Sequence, residues 1–124
     1  MSALILVHGW GFGPGVWRPV RAALATFSAE VSEVKAWDLG FFGQIREPLP
    51  PNGSFVAVGH SLGLLHLLQR LAEDSPKGEE LRRRCVALVA INGFSRFSLC
   101  EGYPGVPERV LLRMQRRLRR DPAG

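Results

Sequence analysis

The stretch that most constrains the fold is Val56 to Gly63, where an apolar strand runs into a serine and a leucine-rich helix follows. Ser61 has a glycine two residues before it, Gly59, and another two residues after it, Gly63. Side chains at both positions would collide in so sharp a turn, so the pattern predicts a strained serine backbone between two required glycines. Such a turn holds the hydroxyl above the carboxyl end of the strand. The alternative is a chance match to a short pattern.

Strand and helix patterns alternate along the rest of the chain. Apolar runs predict strands over residues 3–7, 31–37, 54–58 and 85–91. Helices are predicted from about residue 16, over residues 62–73 and near the end of the chain, with loops or polar connections at 40–51, 74–80 and 92–107. The apolar positions expected to be buried in the first and last helices are Val20, Ala23, Leu24 and Phe27, and Val110, Leu111, Met114 and Leu118. This alternation predicts an α/β protein, a parallel sheet with flanking helices in three layers.

Composition limits the class of protein further. The 124 residues suffice for one hydrophobic core, and 46% hydrophobic with 22% charged residues excludes a disordered or fibrous chain. Two cysteines, Cys85 and Cys100, are too few for a disulfide framework and lack metal-ligand spacing, and Cys85 is interpreted as a core thiol. We expect a cytoplasmic protein, because no signal peptide or membrane-spanning run is recognisable. No motif indicates a metal or organic cofactor, and none is expected.

A serine at such a turn becomes a useful nucleophile only if hydrogen-bond donors receive the charge that develops on the substrate oxygen. The backbone N–H of Leu62, at the start of the following helix, is one candidate donor. The glycine-rich loop over residues 8–15 can supply a second from Trp10, whose side chain would also wall the pocket. The alternative for this loop is a tight strand-to-helix turn that binds no ligand.

A general base is harder to identify. His8 belongs to the glycine-rich loop and is expected to brace it, while His60 adjoins the serine, where neighbouring side chains diverge. His66 lies in the following helix and is expected to point away from the end of the strand. Asp38 ends a strand but precedes Ser61, whereas on this type of scaffold both the acid and the histidine follow the serine. The sequence therefore has no recognisable triad histidine or acid.

Four segments together resemble the N-terminal half of an α/β-hydrolase: residues 8–11 with Trp17, 38–43, 59–63 and 88–92. Within that superfamily the chain resembles the pimeloyl-[acyl-carrier-protein] methyl ester esterases of biotin synthesis, which also have a tryptophan in the glycine-rich loop. The resemblance implies a truncated α/β-hydrolase fold, with residues 1–95 in the core and 96–124 starting a helical lid. It departs at His60, where these esterases often have tryptophan, and at residues 38–41, which lack the usual proline.

The resemblance also implies a function. Ser61 would be the nucleophile of a serine carboxylesterase that cleaves an acyl ester, such as the methyl ester of pimeloyl-acyl carrier protein, and the N–H groups of Trp10 and Leu62 would form the oxyanion hole. The family's triad acid and histidine lie beyond the lid, so we expect other sequence to supply them. One alternative is a non-catalytic hydrolase fragment or interaction module. Another keeps the fold and changes the chemistry, because related scaffolds include lipases, thioesterases and cofactor-free haloperoxidases.

The resemblance further implies the strand order second, first, third, fourth, which leaves the strand over residues 85–91 at an edge of the sheet. A flat apolar edge invites association with other chains. We therefore expect the isolated chain to be marginally stable and prone to aggregate unless something covers this edge.

The formal net charge of +5 is concentrated in residues 82–84 and in the last dozen residues. Arginines of the predicted final helix share one side of it, namely Arg109, Arg113, Arg116, Arg117 and Arg120. The simple interpretation is a lid helix with a solvated basic face. The resemblance implies a contact surface for an acidic acyl carrier protein, since arginine pairs well with phosphate and carboxylate. Nucleic acid is disfavoured because no aromatic residues lie among these arginines, and no membrane partner is expected.

Overall fold

The computed structural model describes residues 2–27, 30–93 and 105–120. The predicted domain boundary after residue 95, the loop over residues 94–104 and Cys100 lie outside the described residues, as do the side chains of Phe27 and Leu118. A 3₁₀ turn over Pro14–Trp17 precedes the first α-helix. The strands are β1 (Ser2–Val7), β2 (Val31–Trp37), β3 (Phe55–His60) and β4 (Cys85–Ile91), and the helices are α1 (Arg18–Phe27), α2 (Leu62–Ala72), α3 (Pro76–Arg84) and α4 (Glu108–Arg120).

The four strands form one parallel sheet in the order β2-β1-β3-β4, which confirms the predicted order. In the register of the central strands Ile5 lies opposite Ala57, and Ala57 lies opposite Leu88. The chain leaves β1 toward one side of the sheet and leaves β3 toward the other. Because parallel crossovers are right-handed, α1 covers one face while α2 and α3 cover the opposite face. The described residues therefore form an α/β-hydrolase-like α/β fold.

The main core lies between the sheet and the α2–α3 layer. Strand alternation directs every second side chain of β1 to this face, where Ile5 and Val7 are fully buried. The buried residues that pack together are Ala3, Ile5, Val7, Trp37, Phe55, Ala57, Leu67 and Leu81. Burial of each large aliphatic side chain contributes about 1.5–3 kcal/mol, so this layer carries much of the stability of the described residues.

The opposite face differs from the prediction. The expected buried stripe of α1 is wrong, because Val20 is 40% exposed, Ala23 is exposed and Leu24 is only partly buried. The 3₁₀ turn instead contacts β1 and β2, and its Trp17 is almost completely buried. A single indole in the turn therefore covers part of the sheet that the helix was expected to cover.

The predicted polar connection over residues 74–80 is also wrong, because α3 begins within it. Ser75 is the N-cap, and its side-chain oxygen accepts a hydrogen bond from the N–H of Gly78 at 3.1 Å. Pro76 occupies the first helical position, where a missing N–H has no cost. The Ser-Pro pair was the signal for a helix start, and the polarity of the following residues concealed it.

The arginine run over residues 82–84 is not a simple solvated face. Arg84 is 8% exposed and donates to the carbonyls of Gly53 at 2.7 Å and Pro50 at 2.6 Å. Arg82 donates to the carbonyls of Leu71 and Glu73, at the end of α2. These two arginines therefore fasten loops and a helix end to the core. Of the three, only Arg83 is exposed and has no described hydrogen bond, as a solvated face predicts.

Strand β4 has a paired neighbour on one side only among the described residues, since β3 lies between it and the rest of the sheet. Its large apolar side chains Val86, Leu88, Val89 and Ile91 are between 37% and 61% exposed. The thiol of Cys85 is only half-buried at the margin of the core, which corrects its interpretation as a core residue, and burial still raises its pKa. The predicted exposed apolar edge is confirmed. No helix in the described part of the chain has both the length and the apolarity needed to cross a membrane.

Candidate active site

Ser61 joins β3 to α2 with a backbone that L-residues rarely adopt, φ 53° and ψ −119°. A Cβ at Gly59 would lie 2.5 Å from the Cα of Leu64, and one at Gly63 would lie 2.4 Å from the carbonyl oxygen of Val7. Both contacts are too short for any real Cβ. The strained serine and the need for both glycines are thus confirmed. A Cβ at Gly59 would meet the backbone of Leu64 and of Gly63, whereas a Cβ at Gly63 would meet the backbone of Val7 and His8.

Backbone hydrogen bonds fix this turn on two sides. The N–H of Ser61 donates to the carbonyl of Ile91 in β4 at 2.9 Å, and its carbonyl accepts from the N–H of Leu64 at 3.1 Å. The Ser61 side chain makes no capping hydrogen bond to the helix that it precedes. Leu62 is the first residue of α2, so its N–H belongs to the first turn, where no intrahelical acceptor is available.

The glycine-rich loop after β1 lies directly against the serine. A Cβ at Gly9 would come within 3.3 Å of the Ser61 Cβ, so a larger residue there would press on the serine side chain. Gly11 has φ 69°, a conformation that favours glycine and turns the backbone just after Trp10. The structure therefore brings the Trp10 loop, Ser61 and the start of α2 together at the carboxyl end of the sheet.

Aromatic side chains surround this junction. The ring of Trp10 lies 6.0 Å from that of Phe41, which comes from the loop after β2. His60, next to the serine, lies 6.4 Å from Phe12 and 6.5 Å from Trp17 between ring centroids. Its ring packs against the glycine-rich loop, and it makes no described hydrogen bond to the serine hydroxyl. This agrees with the expectation that His60 diverges from Ser61.

His8 is fully buried and both of its ring nitrogens are used. Its Nε2 accepts a hydrogen bond from the N–H of Leu39 at 2.9 Å, which leaves the proton on Nδ1 to be donated to the carbonyl of Gly9 at 2.8 Å. The expectation that His8 braces the loop is confirmed. Asp38 likewise has a local role, because its Oδ1 accepts from the N–H of Gly40 at 2.8 Å.

His66 lies on α2 and faces Trp37 and Glu47. Burial lowers its pKa, and the nearby charge of Arg70 lowers it further, while the Glu47 carboxylate partly offsets both. With His8 and His60 also occupied elsewhere, no histidine in residues 2–27, 30–93 and 105–120 is hydrogen-bonded to the Ser61 hydroxyl. In the same ranges no cluster of histidine, cysteine and carboxylate residues could hold a metal ion.

The arginines that were predicted to share one side of α4 are all exposed, as expected for a solvated basic face. Four of the five line a single surface depression, namely Arg113, Arg116, Arg117 and Arg120. Val110, Leu111 and Met114 are partly buried on the other side of the helix. The basic side and the apolar side of this amphipathic helix are therefore separated as the sequence predicted.

One charged cluster was not predicted from the sequence. The Glu47 side chain is 5% exposed and accepts hydrogen bonds from Arg70 at 2.8–3.0 Å and from Lys77 at 3.2 Å. Burial alone would raise the pKa of Glu47, but the bonds from Arg70 and Lys77 outweigh it and leave the pKa below its ordinary value. These residues are 23 and 30 positions from Glu47, so no local pattern connects them.

The parallel sheet and the strained serine between β3 and α2 define this part of the chain as α/β-hydrolase-like. No family model matches the sequence. The chain is similar to the pimeloyl-[acyl-carrier protein] methyl ester esterase of Klebsiella pneumoniae, with 29% identity over 95% of this chain and 47% of the relative. The proteins of the same name in Legionella pneumophila and Salmonella newport are each 28% identical, over 95% of this chain and 49% and 47% of their own lengths. The resemblance is confirmed, and the chain spans about half the length of these curated relatives.

Proposed function

We propose that this chain carries the nucleophile half of a serine carboxylesterase that cleaves acyl esters. Ser61 is the nucleophile, and the backbone N–H groups of Trp10 and Leu62 receive the oxyanion. The observation that carries the proposal is the backbone of Ser61, held at φ 53° between two glycines that tolerate no side chain. Strain of this kind costs about 1–3 kcal/mol and is typically kept where it aims a functional group.

The proposed reaction begins with attack of the Ser61 Oγ on the ester carbonyl carbon while a base removes the hydroxyl proton. The carbonyl oxygen gains negative charge, which the two backbone N–H donors would stabilise. Removal of one donor from an oxyanion hole typically costs about 3–4 kcal/mol. The intermediate then expels the alcohol, which takes up the proton, and leaves an acyl-serine. Water attacks this ester in a second cycle and releases the carboxylic acid and the free hydroxyl.

The base for this reaction has to come from sequence outside the described residues. His8 braces the glycine-rich loop, His60 packs on aromatic rings and His66 faces Glu47. We propose that a complementing segment, in the same chain or in another, supplies the histidine and the acid. Without it, only the residual catalysis of the oxyanion hole is expected, on the order of 10³–10⁴ over water in a serine enzyme lacking triad members.

The first experiment is exposure of the purified chain to a fluorophosphonate probe, with intact mass as the readout. Ser61→Ala is the test variant, and Ser54→Ala, which removes an exposed serine just before β3, is the matched control. Stoichiometric labelling that persists in the Ser54 variant and is lost in the Ser61 variant would support an activated nucleophile. A folded chain that reacts only after addition of a separately expressed C-terminal half of one of the relatives would support the complementing segment.

The finer proposal concerns the substrate and its carrier. The relatives are named for an acyl group held on an acyl carrier protein, and an acidic carrier would suit a basic surface. We propose that the arginine side of α4 contacts such a carrier, supported by the exposed depression that four of its arginines line. Arg113→Glu together with Arg117→Glu should weaken carrier binding strongly at low salt, whereas Arg83→Glu, an exposed arginine on α3, should change it little.

A second candidate function is a non-catalytic hydrolase-like module that keeps the pocket walls and the basic helix. What favours it is that each described histidine already has structural contacts away from the serine hydroxyl. Absence of probe labelling in a folded chain, both alone and with the added half, would support this module and contradict the esterase proposal.

A further inference from the structure

The loop between β2 and β3, residues 38–54, is fastened to the helical layer at two places. Arg84 of α3 holds its end through the carbonyls of Pro50 and Gly53, and Glu47 holds its middle. Glu47 projects from this loop, and its side chain is 5% exposed. Arg70 of α2 reaches both of its carboxylate oxygens, and Lys77 of α3 reaches one of them. This single acidic side chain therefore connects the loop to two helices.

His66 completes the cluster without a good hydrogen bond. Its Nε2 lies 3.5 Å from the Glu47 Oε1, too far for a well-formed bond, and is buried with no hydrogen-bond partner among the described residues. Its ring stands edge-on to Trp37 at 5.9 Å and 89°, so the imidazole is enclosed between an indole and the carboxylate. A buried polar atom left without a partner is unusual in a folded protein and calls for an explanation.

The charges that face His66 are already balanced. Glu47 approaches from the loop, Arg70 lies on the same helix as His66, and Glu73 follows the end of that helix. Lys77 of α3 holds the other side of the Glu47 carboxylate. Two carboxylates and two cations therefore sum to zero. A proton on His66 would add a third cation beside the Glu47 carboxylate, where it would compete with Arg70 and Lys77 for the carboxylate oxygens.

The same loop borders the candidate active site. Its Leu39 N–H donates to the Nε2 of His8, and its Phe41 lies beside Trp10. Release of the loop would remove an anchor of the glycine-rich loop and the aromatic neighbour of Trp10. The state of Glu47 is thus connected to the site through a chain of direct contacts.

We propose that His66 and Glu47 form an acid-sensitive latch. With a neutral His66 the latch is closed and the loop is held against α2 and α3, and with a protonated His66 the bonds of Glu47 loosen and the loop opens. The latch goes beyond the proposed esterase function and does not depend on it, because it concerns the position of the loop whether or not Ser61 reacts.

The direction of the pH effect follows from the lowered pKa of His66. Its ordinary value is 6.5, and burial disfavours the charged form in the closed state. In the open state the imidazole is hydrated and takes up a proton at the ordinary value. Closure is therefore fully favoured above about pH 6.5 and loses free energy as the pH falls below that value.

The test is hydrogen exchange of the full chain, read by mass spectrometry on a peptide covering residues 40–47, near pH 7.5 and near pH 5.5. Rates are corrected for the intrinsic pH dependence of exchange. In the unmodified chain the opening constant of the loop should rise by up to about tenfold between pH 7.5 and pH 5.5. This is the limit when only the open state binds a proton, because pH 5.5 is one unit below the ordinary histidine pKa of 6.5. In His66→Gln this rise should disappear, while His60→Gln, the matched histidine control, should keep it.

Two further readouts make the outcome decisive. Glu47→Gln should leave the loop open at both pH values while a β1 peptide stays protected. An acid-dependent rise that survives in His66→Gln, or that is absent from the unmodified chain, would overturn the latch. So would a parallel rise in β1, because that would indicate unfolding of the whole sheet.

Discussion

Strands β1 and β4 have nearly the same apolar character and very different surroundings. Ile5 and Val7 of β1 are fully buried, with β2 on one side, β3 on the other and α2 above. In β4, Val89 is 44% exposed, and the strand has a paired neighbour on one side only among the described residues. Both runs have the composition of strands from the interior of a parallel sheet. Only one of them is enclosed.

This difference shows what composition does and does not specify. A run of apolar β-branched residues is typical of a strand that is buried on both faces of the sheet. It therefore predicts that other parts of the protein pack over the strand, but it does not show which parts they are. For β1 the cover is formed by the described residues themselves. For β4 we infer that the cover lies elsewhere, which is consistent with a chain that spans about half the length of its relatives.

The largest expected effects test the comparison at two glycines. Gly63 of α2 packs against the end of β1, and Gly93 lies just after β4. In Gly63→Ala the new Cβ would lie 2.4 Å from the carbonyl oxygen of Val7, at the end of β1, where no backbone can move away. In Gly93→Ala, two residues after β4, the contact is with the Cδ2 of Leu64, the far end of a flexible side chain. We expect a loss above about 4 kcal/mol for the first and about 1–2 kcal/mol for the second.

Urea unfolding followed by circular dichroism measures both changes. The control is Gly43→Ala, because a Cβ there meets nothing within 4 Å. Equal losses for the Gly63 and Gly93 variants would mean that the two strand ends are equally rigid, and the contrast between β1 and β4 would then be incorrect.

Much of the fold could be predicted because its signals are local. The strand at residues 3–7, the serine turn and the leucine-rich helix each follow from patterns within about ten residues, and the strand order came from the resemblance. The errors arose where a distant part of the chain decides. The stripe of α1 is exposed because Trp17 takes its place against the sheet, and α3 was missed because polar residues hide the Ser75 cap.

A second prediction compares cavities in the two strands. Ile5→Ala removes a fully buried side chain that packs in the main core, and we expect a loss of about 3–4 kcal/mol. Val89→Ala removes a partly exposed side chain on the uncovered strand, and we expect less than about 1 kcal/mol. The free energies of unfolding from urea titrations of the two variants give the comparison. A large loss for Val89→Ala would indicate that β4 is covered in solution, for instance by a second molecule.

The candidate site divides in the same way into local and distant parts. Ser61, Leu62 and the glycine-rich loop could be found from the sequence because they lie at strand ends, where the loops of a parallel sheet meet. The cluster at Glu47 and the role of Arg84 could not, because each joins positions more than twenty residues apart. Charged residues were therefore interpreted as solvated when the tertiary structure buries them.

A third prediction concerns the junction that leads into β4. Arg84→Ala removes the donor to the carbonyls of Gly53 and Pro50, and it leaves the Pro50 carbonyl without this partner in a buried position. We expect a loss of about 2–3 kcal/mol. Arg83→Ala, the exposed neighbour on the same helix, should change stability by less than about 0.5 kcal/mol. Thermal unfolding at matched ionic strength distinguishes the two, and similar values would show that Arg84 is an ordinary surface charge.

A small change in stability is expected for Val89→Lys, which bears most directly on the exposed edge. Val89 lies opposite Val58, on the face of the sheet away from α2 and α3, and its exposure leaves room for the charged end of a lysine. We expect the free energy of unfolding to change by less than about 1 kcal/mol, and self-association to fall, since a charge on an edge strand opposes pairing with another chain.

Ala23→Lys on exposed α1 adds the same charge away from the edge and is the matched control. Sedimentation velocity over a range of concentrations reads association for the unmodified chain and both variants. If only the Val89 variant stays monomeric, β4 is the surface through which the chains associate. If both variants reduce association equally, net charge is responsible, and the open edge of β4 has no special tendency to bind. A Val89 variant that unfolds would show instead that this edge is enclosed, and β4 would then resemble β1 after all.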